Sequence, residues 1–525
     1  MLSYDSESLK KQAKEEYEAA VQIEYDKFIT GDELKAHIEK NAGFNKRDAF
    51  YKLSEWLQDL RPDGHIGALF GLRRTGKTVV LHQLAYEYMS KGVKVAYAVY
   101  GYKQTEFNVV YKAIKRLVKE GYQIVLLDEI TRTEGFYDSS MLLSDDVCAK
   151  VVIAGTESLM LWWAMGDPLF GRTILAKTTT MRYQEYKRLF RDATLIDFMC
   201  YGGVLWDNER GNDVEVTIEK YLETSVIENI KNSVNLLEDW HTHSDKGTLM
   251  RVSADTLFRL LVAVCECAAQ VDVEAHVKAN WGDSIAWRLT QAHTNKAVGG
   301  MKSDSRLKVI RDGIQTFYMC VPSGEYDEAL VEILIKRLKN LGFMSEVMEL
   351  HDGGKTQKTL VITQPYIKRE FVRRNLSMFA EFKNLELEST SDKMESIAYG
   401  VILEDIVYLE ARTRYFDNNA MIDNVAKFRG KDEQEIDVCI FHKDKHLSLI
   451  EVKLNEEKYK QGVNSNNGHD RWLTDEGVAA ELKRVYGAKK ITRTVLYMGV
   501  TDEAPDNDGV RWVNVEEWLL GDVEI

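Results

Sequence analysis

The octapeptide Gly71-Leu72-Arg73-Arg74-Thr75-Gly76-Lys77-Thr78 constrains this chain more than any other stretch. It satisfies G-x-x-x-x-G-K-[ST] at every fixed position. An apolar run over residues 65–70 precedes it, and a helical pattern over 78–88 follows. Glycines let backbone N–H groups turn inward around phosphate oxygens, the lysine reaches the β- and γ-phosphates, and the threonine hydroxyl serves Mg²⁺. The helix N-terminus aims its dipole at the same phosphates. The expectation is a strand–loop–helix unit in which Gly71, Arg73, Arg74, Thr75, Gly76, Lys77 and Thr78 bind ATP, with Thr78 also a Mg²⁺ ligand. A second Gly-Gly-Lys-Thr at 353–356 is not another such loop, because Glu349 stands where the first glycine belongs.

Short apolar runs at 65–70, 94–100, 123–127 and 151–154 alternate with amphipathic helical segments. That rhythm predicts a parallel α/β sheet. The third run closes on Asp128-Glu129, which places Asp128 to hold Mg²⁺ through water and Glu129 to orient the attacking water. The fourth run leads into Gly155-Thr156-Glu157-Ser158, where Thr156 is read either as a sensor of the γ-phosphate or as a helix N-cap. Arg172, in Leu169-Phe170-Gly171-Arg172, is read either as an arginine finger acting on a neighbouring subunit or as a surface arginine. The first role requires a homo-oligomer.

The length of 525 residues suggests roughly three or four domains. The formal net charge is −14, which excludes a protein basic all over but not a local basic groove. The six cysteines form no C-x-x-C pair, so reduced buried thiols are expected rather than a disulfide framework or a zinc ribbon. The polar start and the lack of a long apolar run predict a soluble cytoplasmic protein. Five segments are expected: an N-terminal helical segment (1–60), a P-loop core (61–190), a helical extension (191–325), a winged-helix-like module (326–385) and a C-terminal domain (390–525). In the fourth segment, Lys368, Arg369, Arg373 and Arg374 are read either as contacts to a DNA backbone or as a solvated helix face.

The C-terminal domain carries a second constellation. Glu435-Ile436-Asp437-Val438 and Leu449-Ile450-Glu451-Val452-Lys453 read as two strands of a hairpin. Glu451 and Lys453, two apart on one strand, point to the same face. Two carboxylates can bind Mg²⁺, and a lysine beside them can orient water or stabilise developing charge. Glu404, on an upstream helix, adds a third carboxylate. Asp437, Glu451 and Lys453 are the expected catalytic residues, and Glu404, Asp437 and Glu451 the metal ligands. Another reading stays open: ordinary edge-strand charges. The polar loop 461–470, which contains His469, follows the second strand.

The first constellation resembles the AAA-related ATPases of bacteria and archaea that have a G-x-R-R-x-G-K-T loop, a T-G-S-type strand end and a closing L-x-G-R-T segment. One departure is Ala154-Gly155-Thr156 at the strand end. The second resembles the PD-(D/E)xK nuclease fold, found at the C-terminus of that family. Ile436 replaces the usual proline. The resemblances imply a multidomain α/β fold with an ASCE/AAA-type parallel sheet, a helical and winged-helix-like middle and a restriction-endonuclease-like end. They imply an ATPase joined to a Mg²⁺-dependent DNA endonuclease, in a prokaryotic setting of defence against, or maintenance of, mobile DNA. The alternative is a nucleotide-driven oligomeric switch or scaffold whose nuclease-like domain binds DNA or a partner without cutting.

Overall fold

Strands buried along their whole length need cover on both faces, and the apolar strands Ile66–Phe70, Ile124–Asp128 and Lys150–Ala154 behave this way. A computed structural model describes residues 6–101, 105–205, 217–236, 246–269, 306–309, 317–320, 328–382, 387–416, 424–430, 435–455, 473–502, 504–506 and 508–525. Contacts divide the chain into two units. The first comprises Met1–Thr180, Val204–Phe258 and Asn340–Gly342, and the second Met181–Gly203, Arg259–Lys339 and Phe343–Ile525.

The first unit holds a six-stranded sheet: β1 (Ile29–Thr30), β2 (Ile66–Phe70), β3 (Val95–Val99), β4 (Ile124–Asp128), β5 (Lys150–Ala154) and β6 (Thr173–Lys177), in the order β1-β3-β4-β5-β2-β6. All neighbours pair in parallel except β1 with β3. The strand that leads into the phosphate loop, β2, is thus separated from the Asp128 strand, β4, by the additional strand β5. Helices α1 (Ser6–Asp26), α2 (Gly31–Ala42), α3 (Asp48–Leu57), α4 (Lys77–Ser90) and α5 (Phe107–Lys119) surround it. Leu34 and Ile38 of α2, Phe50 and Leu53 of α3, and Leu81 and Leu84 of α4 share one buried cluster with Leu69, Tyr97 and Leu126 of the sheet. Two short helices, α6 (Phe136–Ser139) and α7 (Leu142–Asp145), precede β5, and α8 (Ser158–Gly166) follows it.

Helices α9 (Tyr183–Leu189) and α10 (Leu195–Tyr201) belong to the second unit. Arg182 pairs with Glu410, and the rings of Tyr186 and Phe198 lie 5.0 Å apart. The chain returns to the first unit at Val204 with α11 (Ile218–Tyr221), a π-helical turn (Leu222–Ile227), α12 (Glu228–Leu236) and α13 (Lys246–Arg251). Helix α14 (Ala254–Ala268) and a β7 (Arg306–Val309)–β8 (Phe317–Cys320) pair follow.

The second unit is built on a seven-stranded sheet in the order β10-β9-β11-β12-β13-β14-β15. Its strands are β9 (Met344–His351), β10 (Lys355–Ile362), β11 (Val425–Arg429), β12 (Glu435–Phe441), β13 (His446–Lys453), β14 (Lys490–Tyr497) and β15 (Val510–Asn514). This corrects the expected winged-helix module. The helices α15 (Glu328–Asn340) and α16 (Pro365–Phe382) and the hairpin β9–β10 exist, but β9 pairs with β11 in parallel from Lys427–Glu349 to Arg429–His351. The wing is therefore the edge of the C-terminal sheet. Helices α17 (Leu387–Tyr415), α18 (Glu476–Tyr486) and α19 (Val515–Leu520) complete the unit. Leu350, Phe428, Ile436 and Leu449 of the sheet share a buried cluster with Val478 and Leu482 of α18.

Candidate functional sites

The phosphate loop leaves the C-terminal end of β2 and enters α4 at Lys77. Arg74 and Gly76 are left-handed, at φ 60° and 84°, which turns the loop backbone inward. Gly71 has no room for a side chain: a Cβ there would lie 2.0 Å from Thr178 Oγ1 and 2.9 Å from Thr75 Oγ1. The buried Arg47, just before α3, donates from Nη1 to the Thr75 carbonyl at 2.6 Å and to the Thr178 carbonyl at 2.9 Å. Arg47 thus clamps the loop to the segment after β6. No motif in the sequence points to it.

Lys77 is buried and donates to the carbonyls of Gly71 and Leu72 at 2.7 and 2.8 Å. Burial lowers its pKa to about 8, against the opposing pull of Glu129, Asp128 and Glu157. Thr78 Oγ1 donates to Asp128 Oδ2 at 2.7 Å. Burial raises the Asp128 pKa, with the Thr78 hydrogen bond acting in the other direction. A hydroxyl against a buried carboxylate, beside a lysine held by phosphate-loop carbonyls, fits a triphosphate with its Mg²⁺. Thr78 and Asp128 would hold the ion, and Lys77 would exchange carbonyls for phosphate oxygens.

Glu129 follows directly, in a left-handed conformation at φ 58°. One of its oxygens, Oε2, accepts the Thr156 amide at 2.8 Å and the Thr156 hydroxyl at 2.7 Å. Arg132 Nη2 donates to Thr156 Oγ1 at 2.9 Å, and its Nε donates to Glu157 Oε2 at 3.0 Å. Two expected site residues, Glu129 and Thr156, therefore meet, together with Arg132 and Glu157. Arg132 was legible as the third residue after Glu129, where the short 3-10 turn Ile130–Arg132 returns it to the carboxylate. Arg73 lies 3.1 Å from Glu228 of α12.

Arg172 is not brought to this cluster. Thr173, which opens β6, pairs with Ile66 at the start of β2, whereas the phosphate loop leaves the far end of β2. Four strand residues lie between, on the order of 13 Å. Arg172 instead pairs with Asp145 at 2.9 Å.

The second constellation assembles on β11, β12, β13 and α17. Ala426 pairs with Cys439 but Phe428 with Ile436, so Asp437 and Val438 face the single residue Lys427. Such a bulge re-aims a side chain, and here it carries the expected catalytic aspartate. Asp437 Oδ2 accepts the Val452 amide at 2.8 Å. The Lys453 ammonium lies 3.2 Å from Glu451 Oε2 and 3.9 Å from Asp437 Oδ2. Glu404 of α17 lies 3.7 Å from Lys427. Burial and the nearby Asp437 raise the Glu404 pKa. Burial opposes the charge on Lys427, yet Glu404, Asp405, Glu435 and Asp437 hold its pKa above the ordinary value. Sequence reasoning missed Lys427, although a lysine inside the apolar run Val425-Ala426-Lys427-Phe428 was a visible signal.

All four expected polar residues are thus in one region, with one difference. Among the described residues, no three acid, histidine or cysteine side chains converge in a ready metal cage, and a lysine ammonium lies close to both Asp437 and Glu451. The residues fit a divalent cation only in part: the carboxylates are present, and Lys453 must yield. The loop 461–470 with His469 lies outside the described residues.

The basic stretch of α16 is corrected. Lys368 is buried, paired with Asp405 at 2.5 Å and donating to the Ala268 carbonyl, so it does not face a ligand. Arg369 and Arg373 pair with Glu370 and Glu395, and Arg374 lies over the ring of Phe371.

Residues 63–187 match the family model of the AAA domain. This AAA segment covers β2 to β6 and every residue of the first constellation. No curated protein matches the chain. Among solved structures, the Orc1 protein of Aeropyrum pernix in complex with DNA is 13% identical, with 64% of this chain and 93% of that chain covered and a TM-score of 0.23. AMPPCP-bound DnaA from Aquifex aeolicus is 18% identical, with 49% and 83% covered and a TM-score of 0.20. Motif and family match agree on a P-loop ATPase module in the AAA segment. Among the described residues, no helix is long and apolar enough to cross a membrane.

Proposed function

We propose that the chain hydrolyses ATP in its AAA segment and uses the C-terminal sheet to cut DNA phosphodiester bonds with Mg²⁺. The observation that carries the ATPase half is the junction of Thr78, Asp128 and Lys77 at the C-terminal ends of β2 and β4. Glu129 accepts a proton from the attacking water, the water oxygen bonds to the γ-phosphorus, and the bond to the bridging oxygen breaks to leave ADP. Arg172 lies too far from its own phosphate loop to act there, so we assign it to a neighbouring copy in a homo-oligomer.

For the DNA-cutting half, the supporting observation is Lys453 beside Asp437 and Glu451 on paired strands. When bound, Mg²⁺ supplies Lewis-acid activation at the scissile phosphate. Asp437 and Glu451 would hold it, Glu404 would add to the carboxylate set, and Lys453 would orient the attacking water. The water would give up a proton to solvent as its oxygen bonds to phosphorus, one phosphoester bond would break, and the leaving oxygen would take up a proton from solvent. A second reading has its own observation: Lys453 close to both carboxylates and the neutralised α16 face favour a nucleotide-driven oligomeric switch whose C-terminal domain binds without cutting.

The test is Mg²⁺-dependent cleavage of linear, circular and single-stranded DNA, with and without ATP, by wild type, Lys77→Ala and Lys453→Ala. Cutting lost in Lys453→Ala, and changed by ATP only when Lys77 is present, supports the nuclease. ATP hydrolysis and nucleotide-dependent assembly without any cutting leave the switch.

A further inference from the structure

The helix α12 was opaque in the sequence, yet it touches both halves of the ATP site. It starts directly after the π-helical turn Leu222–Ile227. Such turns break the 3.6-residue register and are frequent at functional sites. The first residue, Glu228, holds Arg73 of the phosphate loop. The next, Asn229, is buried. Its Nδ2 donates to the Thr156 carbonyl, and its Oδ1 accepts the Leu159 amide at 3.2 Å. One turn later, Asn232 donates to Glu157 Oε1 at 3.4 Å, and Ser233 Oγ accepts the Met160 amide at 3.2 Å. Residues three and four apart share a helix face, so Asn229, Asn232 and Ser233 on one face of α12 contact Thr156, Glu157, Leu159 and Met160.

Part of this is helix capping. Leu159 and Met160 open α8, and first-turn amides need partners outside their own helix. Capping does not account for the other end of Asn229. Its amide group is bonded to the carbonyl of Thr156, the residue whose amide and hydroxyl hold Glu129. We propose that Asn229 is a positioning residue for ATP hydrolysis: through the Thr156 carbonyl it sets where Thr156 presents its two donors, and so where the Glu129 carboxylate stands relative to the γ-phosphate. The inference rests on the ATPase reading of the AAA segment.

Asn229→Asp and Ser233→Ala separate positioning from capping. Asn229→Asp keeps an acceptor for the Leu159 amide but cannot donate to the Thr156 carbonyl. Ser233→Ala removes a cap on α8 and the 3.5 Å hydrogen bond from Ser233 Oγ to Asn229 Oδ1, but leaves the Asn229 bond to the Thr156 carbonyl in place. Steady-state ATP hydrolysis is measured beside binding of a fluorescent ATP analogue, with rates expressed per folded molecule from thermal melts. The expected result is a fall in kcat on the order of tenfold for Asn229→Asp, with KM and nucleotide affinity changed less than about twofold, and a wild-type kcat for Ser233→Ala. If wild type hydrolyses ATP and Asn229→Asp keeps its kcat, or if Ser233→Ala loses as much, positioning by Asn229 is wrong. If wild type binds the analogue but does not hydrolyse ATP, the ATPase reading itself fails, and this inference with it.

Discussion

Thr156 donates both its amide and its hydroxyl to a single oxygen of Glu129, at 2.8 and 2.7 Å. A carboxylate held by two donors is fixed in direction, and a carboxylate that orients water depends on direction. Thr156→Ala removes one donor and keeps the amide. It is expected to lower kcat for ATP several-fold with little change in KM. Glu129→Gln should bind ATP as tightly as wild type and lose hydrolysis by about a hundredfold or more. Rapid-quench turnover beside equilibrium nucleotide binding checks both. Equal loss of binding and turnover would place Glu129 in nucleotide binding rather than in the chemical step.

Lys77 gives a pH dependence with a definite sign. Burial lowers its pKa to about 8, and triphosphate oxygens favour the charged form once they replace the Gly71 and Leu72 carbonyls. Below pH about 8 the free protein already carries the proton, so affinity for ATP is flat there. Above it, binding must take up a proton, and affinity falls by up to about tenfold per pH unit. Titration calorimetry in buffers of different ionisation enthalpy should show proton uptake at pH 9 and little at pH 7. Equal uptake at both would contradict the assignment.

How much of this was legible follows from the range of each interaction. The phosphate loop, β4 and Asp128 were readable because their chemistry is local: consecutive residues define the turn, and apolar runs define the strands. The placement of Asp437, Glu451 and Lys453 on one hairpin was readable for the same local reason. Arg47 was not readable, since its role is set by carbonyls of Thr75 and Thr178 far along the chain. The winged-helix expectation failed for a related reason. The hairpin β9–β10 has the local pattern of a wing, and nothing local says that β9 will pair with β11. Lys368 looked like an exposed cation until Asp405, on another helix, buried it.

Gly71 offers a test of steric fit that does not depend on charge. A methyl group there meets Thr178 Oγ1 at 2.0 Å, a contact that real side chains do not make. The neighbouring atom belongs to a buried, hydrogen-bonded threonine rather than to the free end of a long chain. Gly71→Ala should therefore displace the loop and lower ATP affinity by about tenfold or more, while Gly71→Ala with Thr178→Ala recovers part of it. Fluorescent-nucleotide titration of the two variants reads the difference. An unchanged affinity in the single variant would show that the loop can relax.

Lys427 is buried between carboxylates, so its removal should cost more than its presence contributes. Lys427→Met removes the buried cation beside Glu404 and leaves the bulged Asp437 with the partly buried Lys453. Breaking a buried pair from one side typically costs about 3–5 kcal/mol, whereas replacing both partners is often nearly neutral. Urea unfolding of Lys427→Met should show a loss below that range in the transition of the second unit, because Glu404 is only partly buried and its raised pKa favours the neutral form. Adding Glu404→Gln should restore much of it. If the double variant is no more stable than Lys427→Met, the ion pair is not what holds Glu404, and Asp437 is the partner to test next in the same cycle.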